Sequence, residues 1–196
     1  LLPDDSVDPA WTPAVFTSED SAYVGCLALS GGKLYVGGYF KSIYGRDCSG
    51  LVALDASSGR LLDWDCALGM ANDSQPSIYA MAANNSTLYI SGYFSRVQGK
   101  PRLNIAAIDT TTGLVADWDA SFSDSARTAY GMLLHEKGLY ICGDFGSVAG
   151  QDRDGVALLD KQTGQLKPWA PSVMGLVRTM AIGGSTLYLG GSISSA

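Results

Sequence analysis

Apolar residues fall into short runs along the chain, each cut off by a stretch rich in Gly, Ser, Asn, Asp or Thr. No run between two such stretches reaches the ~10–12 residues of a helix, so the pattern predicts strands throughout. The stretch from Leu34 to Phe40 shows the finer pattern. Leu34, Val36, Gly38 and Phe40 share one face, and Tyr35, Gly37 and Tyr39 the other. Neither face is polar, which predicts a sheet covered by neighbours on both sides.

The pattern repeats. Trp recurs at Trp11, Trp64, Trp118 and Trp169, at intervals of 53, 54 and 51 residues. Leu-Tyr recurs at Leu34-Tyr35, Leu88-Tyr89, Leu139-Tyr140 and Leu187-Tyr188. From there the units read LYVGGYF, LYISGYF, LYICGDF and LYLGGSI, and three continue as LVALDASSGRLLDW, NIAAIDTTTGLVADW and GVALLDKQTGQLKPW. Each unit predicts a first strand (24–29, 78–83, 129–134 or 177–182) and then the Leu-Tyr strand. A third strand ends at Asp55, Asp109 or Asp160, and after a turn closing on Gly59, Gly113 or Gly164 a fourth ends at the Trp. Antiparallel four-stranded units of about fifty residues predict an all-β chain of β-propeller blades.

The blades are expected at 11–63, 64–117 and 118–168, with a partial fourth at 169–196 and with 1–10 as an outer strand of a preceding or closing blade. That is about three and a half blades, where a closed ring takes ~4–8. The chain is therefore expected to be a segment of a larger propeller, or one completed by association. The absence of an initiator Met at Leu1 agrees with a fragment or a processed product.

Composition narrows the function. Of 196 residues, 46% are apolar, enough for a packed core, and only 16% are charged. The net charge of −6 and the lack of a basic run argue against nucleic acid. No stretch approaches the ~18 apolar residues of a membrane helix, so no direct membrane insertion is expected. One His and four Cys leave little for a metal site.

The shared pattern, Leu-Tyr-x-Gly-Gly-x-Phe followed by Ala-x-Ile/Leu-Asp-x-x-Thr-Gly and Trp, resembles the delta-sixty-type repeat of bacterial secreted and surface propellers. It is also similar to the propeller of fungal cortical polarity-marker proteins. The resemblance covers nearly the whole chain from Trp11, and Val7-Asp8-Pro9-Ala10-Trp11 looks like that family's blade ending. It implies a scaffold or adhesion role at the cell surface, without a defined catalytic one. The family's Arg before the third strand is matched by Arg102 and Arg153, while Cys48 stands there in the first unit. The units also resemble quinoprotein and kelch repeats, but no calcium-binding acid cluster of the quinoprotein kind is present, and a shared fold carries no activity with it.

Cys48 and Cys66 fall nearly opposite one another about the Ser57-Ser58 turn, at positions held by Arg102 and Ala120, then Arg153 and Pro171, in the later units. That placement predicts a disulfide, worth roughly 3 kcal/mol for a loop of this size, and an oxidising compartment. Cys26 and Cys142 stand at small-residue positions and read as core filling. Asn-x-Ser/Thr tripeptides at Asn72, Asn84 and Asn85 lie in predicted loops and are candidate glycan acceptors, with room for one glycan on the adjacent pair. Asp55, Asp109 and Asp160 each open an Asp-x-x-Ser/Thr-Gly turn, so their carboxylates are expected to accept backbone N–H bonds rather than to catalyse. The recurring Trp reads as a wedge between blades. His135 has no nucleophile partner and reads as a turn residue, and residues 151–155 resemble a calcium loop but lack its third acid and the downstream bidentate Glu.

Positions that vary between units point to binding. After the Gly pair stand Tyr39, Tyr93, Asp144 and Ser192, and the following loops carry Tyr44, Arg46, Arg96 and Gln98. Tyr39, Tyr44, Arg46, Tyr93, Arg96 and Asp144 form the candidate binding surface, Tyr with Arg being a frequent pairing at interfaces. The expected function is a non-enzymatic, secreted or cell-surface scaffold, without cofactor, that binds a protein or glycan. One alternative is a structural subunit of an extracellular assembly whose partners are further copies, stacked through open blades. The other is a quinoprotein-like or glycan-active propeller enzyme, which the lack of carboxylates on the first strands disfavours.

Overall fold

The structure is a computed structural model that describes residues 9, 11, 16–17, 22–64, 66–124 and 127–195. Residues 1–8, to which an outer strand was assigned together with 9 and 10, lie outside the described residues. Among the described residues all regular structure is strand, so the all-β expectation holds.

Three units carry an antiparallel three-stranded sheet in the order first–second–third strand. In the first unit these are Tyr23–Ser30, Lys33–Tyr39 and Leu51–Asp55; in the second, Ser77–Ala83, Thr87–Tyr93 and Ile105–Asp109; in the third, Thr128–His135, Gly138–Asp144 and Val156–Leu159. The last unit is a hairpin of Met174–Gly183 with Thr186–Ser195. The second strands of the three complete units are buried on both faces, Tyr35, Val36, Tyr89 and Ile90 among them, as their apolar alternation predicts.

The fourth strand expected in each unit is reduced to a single bridge: Leu54 to Leu61, Ile108 to Val115 and Leu159 to Leu166. Asp55 N–H still donates to Arg60 O (2.8 Å) and Leu62 N–H to Ala53 O (2.9 Å). Beyond this the chain leaves the ladder, and Trp64 packs edge-on against Tyr35, centroids 5.2 Å apart. Trp118 meets Tyr89 and Trp169 meets Tyr140 in the same way. Burying the indole, worth more than a further pair of ladder bonds, shortens the strand.

Between the second and third strands each complete unit inserts a small ribbon: Ser42–Ile43 with Arg46–Asp47, Arg96–Val97 with Lys100–Pro101, and Ser147–Val148 with Gln151–Asp152. Their turns, Tyr44-Gly45, Gln98-Gly99 and Ala149-Gly150, have both central residues at φ between 51° and 76°. That is the two-residue hairpin turn whose twist matches the flanking strands.

The core lies between successive sheets. Ile78 and Met81 of the second unit pack with Tyr35 and Trp64 of the first, and Ala129 of the third with Tyr89 and Trp118 of the second. At the two ends the same positions are open. Leu27 is 59% exposed where its counterpart Met81 is 8%, and Tyr188 is 61% exposed where Tyr35 is 0%.

Candidate binding surface

Every first strand carries a β-bulge near its start, at Gly25, Tyr79, Tyr130 and Arg178. Across from the bulge in the three complete units stand Gly38, Gly92 and Gly143, where a Cβ would overlap Tyr23 O, Ser77 O and Thr128 O. The second glycine of the repeated motif is thus a point of close backbone approach, and a bulge re-aims the side chain it carries.

The re-aimed side chains meet. Tyr79 and Tyr130 rings lie 6.1 Å apart at 44°, and Arg178 Cζ stands 5.8 Å over the Tyr130 ring. Gly25 has no side chain to add, but a Cβ built there would touch the Tyr23 ring at 3.5 Å, so Tyr23 fills its place in the row. Tyr23 stacks on Tyr39 (6.1 Å, 21°) and shares a hydrogen bond with Ser77 Oγ (3.1 Å). Burial first, then the neighbouring phenol of Tyr23, pushes the Tyr79 hydroxyl up from its ordinary value; a hydrogen bond with Ser77 works the other way, and Tyr130 and Tyr93 add smaller upward contributions. Tyr79 therefore stays a neutral donor at physiological pH.

The register brings three of the predicted surface residues to this end. Tyr39 pairs with Tyr23, Tyr93 with Ser77 and Asp144 with Thr128. Asp144 is bonded by Arg127 (2.8 Å) and lines an open cleft of about 480 Å³ with Asp154, Met174 and Leu176. The other three sit on the ribbons: Tyr44 at an exposed turn, Arg46 paired with Asp63 (2.9 Å), and Arg96 donating to Gly99 O (3.1 Å). Tyr79, Tyr130 and Arg178 were missed as surface residues. Their signal is a column reading Gly, Tyr, Tyr, Arg inside an otherwise small and apolar strand.

Residues common to all units have structural work. Asp55 Oδ1 accepts from Ser57 and Ser58 N–H (3.1 and 2.8 Å) and from both hydroxyls. Asp109 accepts from the N–H groups of Thr111 and Thr112 and from the Thr112 hydroxyl, and Asp160 from the N–H groups of Gln162 and Thr163 and from the Thr163 hydroxyl. These bonds hold the carboxyls low: Asp55 and Asp160 fall to about 2, and Asp109 is lowered. Arg102, only 11% exposed, donates to Ala116 O (2.9 Å) and lies 3.7 Å from Asp119. His135 Nδ1 accepts Lys137 N–H within its turn (3.3 Å). Among the described residues no three His, Cys, Asp or Glu side chains converge on a possible metal position.

Asn72, exposed, accepts through Oδ1 from Ser74 Oγ (2.8 Å), and Asn84 from Ser86 N–H and Oγ (2.9 and 3.1 Å). Asn85 is exposed too, its backbone oxygen taken by Thr110 Oγ1 (2.9 Å). Cys48 lies half-buried beside Phe40 and Ile43, while Cys66 is buried in the cluster of Trp64 and Leu68.

In comparison with known proteins, the chain matches no family model and no curated protein. No helix of the described residues is long and apolar enough to cross a membrane.

Proposed function

We propose that the chain is a β-propeller segment of a secreted or cell-surface protein, non-enzymatic and without cofactor, that binds a protein or glycan through one end of its sheets. The meander order within each sheet and the packing of first strands against one another in chain order support the propeller reading. A Cys48–Cys66 bridge and glycans on Asn72 and on Asn84 or Asn85 belong to the same reading.

One observation carries it. Residues common to all units are spent on turns and on packing between sheets, whereas at the bulged end residues that differ, Tyr39, Tyr79, Tyr93, Tyr130, Asp144 and Arg178, form a row of phenols with a guanidinium and a carboxylate. Nothing in the repeat itself calls for them, since Gly25 makes the same bulge without a side chain. The test is binding to arrays of glycans and of secreted proteins, run beside a Tyr79→Ala/Tyr130→Ala/Arg178→Gln variant. Ligands held by the parent and lost by the variant support the reading; ligands held equally by both place the function elsewhere on the molecule.

The open ends favour a second reading, head-to-tail assembly. Exposed Leu27 and Leu29 at one end and Tyr188 at the other occupy positions that face one another between inner units. Light scattering during size exclusion separates the two: a 20.5 kDa monomer argues for loop-borne binding, a larger species for assembly.

A further inference from the structure

The row formed by Tyr79, Tyr130 and Arg178 has a chemistry of its own. Tyr79 and Tyr130 are partly exposed and Arg178 exposed, so solvent reaches part of each ring and the guanidinium. Arg178 differs from the other arginines at this end and on the ribbons in what holds its guanidinium: Arg96 is tied to the backbone oxygen of Gly99 (3.1 Å), and three others are held by carboxylates. Arg127 is bonded to Asp144, Arg46 to Asp63 and Arg102 to Asp119, whereas among the described residues no carboxylate pairs with Arg178, whose partner is the Tyr130 ring. On a chain with a net charge of −6, a guanidinium kept away from the protein's own acids is an anchor for an anion brought from outside. Stacking on the ring leaves the N–H edge of the fork open for two parallel bonds to a carboxylate.

We propose that this row binds an acidic glycan, a chain of uronic-acid sugars. Successive sugars lie along the solvent side of Tyr130 and Tyr79, their C–H groups against the rings where Arg178 does not cover them, while a ring carboxylate pairs with Arg178. Aromatic faces carry the negative side of the ring quadrupole and favour polarised C–H groups. The phenol hydroxyls, with Tyr79 held as a neutral donor, meet the sugar's hydroxyl rim, a match of flat face and polar edge that an acidic peptide lacks. The inference rests on reading the bulged end as a binding surface, and it adds the ligand class.

The test uses the whole chain, isothermal titration calorimetry, and three probes: oligogalacturonate, its fully methyl-esterified form, and poly-glutamate. Circular dichroism of each variant checks folding. Oligogalacturonate is expected to bind, about tenfold more weakly to the Arg178→Gln variant and with partial recovery in Arg178→Lys, as removal of one charge-assisted pair implies. Esterification should cost the parent as much as Arg178→Gln does, and Tyr130→Ala should abolish binding of either glycan. Equal binding of acid and ester, or no effect of Arg178→Gln, overturns the carboxylate assignment and leaves the binding-surface reading standing. Poly-glutamate bound with the same Arg178 dependence and at least equal affinity overturns the glycan class. Unchanged binding in folded Tyr79→Ala and Tyr130→Ala variants overturns the site, and no binding of oligogalacturonate overturns the proposal while the array result decides the broader reading independently.

Discussion

Gly131 and Cys142 face each other across the first two strands of the third unit, and a Cβ on Gly131 would stand 2.7 Å from Cys142 Sγ. The other units make the same trade in different residues. Cys26 faces Gly37, Thr179 faces Gly190, and Ala80 faces Ser91, two small residues sharing the space. One side of the pair grows only where the other has shrunk. Gly131→Ala should therefore destabilise by ~1–3 kcal/mol as overpacking, and the cost should shrink when Cys142→Ala is added. Denaturant melts of the four combinations measure the coupling, expected at ~0.5–3 kcal/mol; simple additivity would remove the explanation.

Trp118 reaches the next unit, its indole N–H donating to Asp160 O at 2.9 Å. The indole N–H of Trp64 is buried without a partner. Trp118→Ala should cost roughly 3–5 kcal/mol, as loss of a core aromatic. The Phe variants separate the bond from the ring: Trp118→Phe gives up a hydrogen bond worth ~1 kcal/mol and leaves Asp160 O with the Gly164 N–H (3.0 Å), while Trp64→Phe gives up none. Equal unfolding midpoints for the two Phe variants would contradict this.

Acid should weaken the turns in a defined window. Native Asp55 and Asp160 carboxyls lie at about 2, below their ordinary 3.8, and Asp109 is lowered in the same sense, all chiefly through hydrogen bonds from the turn. A depressed native value stabilises above the unfolded value and loses that contribution as the pH falls through the native one. Urea midpoints are expected to be level above about pH 5 and to fall between about 4 and 2. Asn at all three positions keeps an acceptor oxygen and should flatten this limb; an unchanged slope would show that other carboxyls govern it.

The cysteines should divide into two kinds. Burial pushes the Cys26 and Cys142 thiols up to about 12, so both stay protonated and slow to alkylate until the chain unfolds. Cys48 and Cys66 should emerge linked from a non-reduced digest. Their counterparts give the reason: Arg102, in the place of Cys48, reaches Asp119, the neighbour of Ala120, which stands in the place of Cys66. Two separately alkylated peptides would disprove the bridge.

Much of the fold was legible because the repeat states each strand three or four times, so one unit's ambiguity is settled by the next. Leu34-Tyr35 and its counterparts mark the second strand, and the Asp of each Asp-x-x-Ser/Thr-Gly marks a turn whose carboxylate does what its place implied. The fourth strand was overread. Alternation up to Trp64 looks like a strand, but the indole's preference for Tyr35 ends the ladder two residues earlier, a packing effect with no local mark. The ribbons carried a signal in Tyr44-Gly45 and Gln98-Gly99, weaker than Asn-Gly because a Tyr or Gln rarely adopts the left-handed conformation. The bulge was hidden for a deeper reason. It inserts one residue into a period of two, so Tyr79, Tyr130 and Arg178 read as strand residues in sequence, although their side chains leave the strand's two faces and line up across units.

Contacts between the sheets run from each unit to its immediate neighbour, first strand beside first strand. Such a molecule behaves like a short row of dominoes: its free energy divides into a share for each unit and a share for each junction. The outer units, each with one junction, should open earliest in hydrogen exchange, and the Ile78 and Ile141 amides in the middle last. A lesion in one junction costs that junction alone, which gives a chain of this kind the freedom to gain, lose or reshuffle whole units while the remainder keeps its shape.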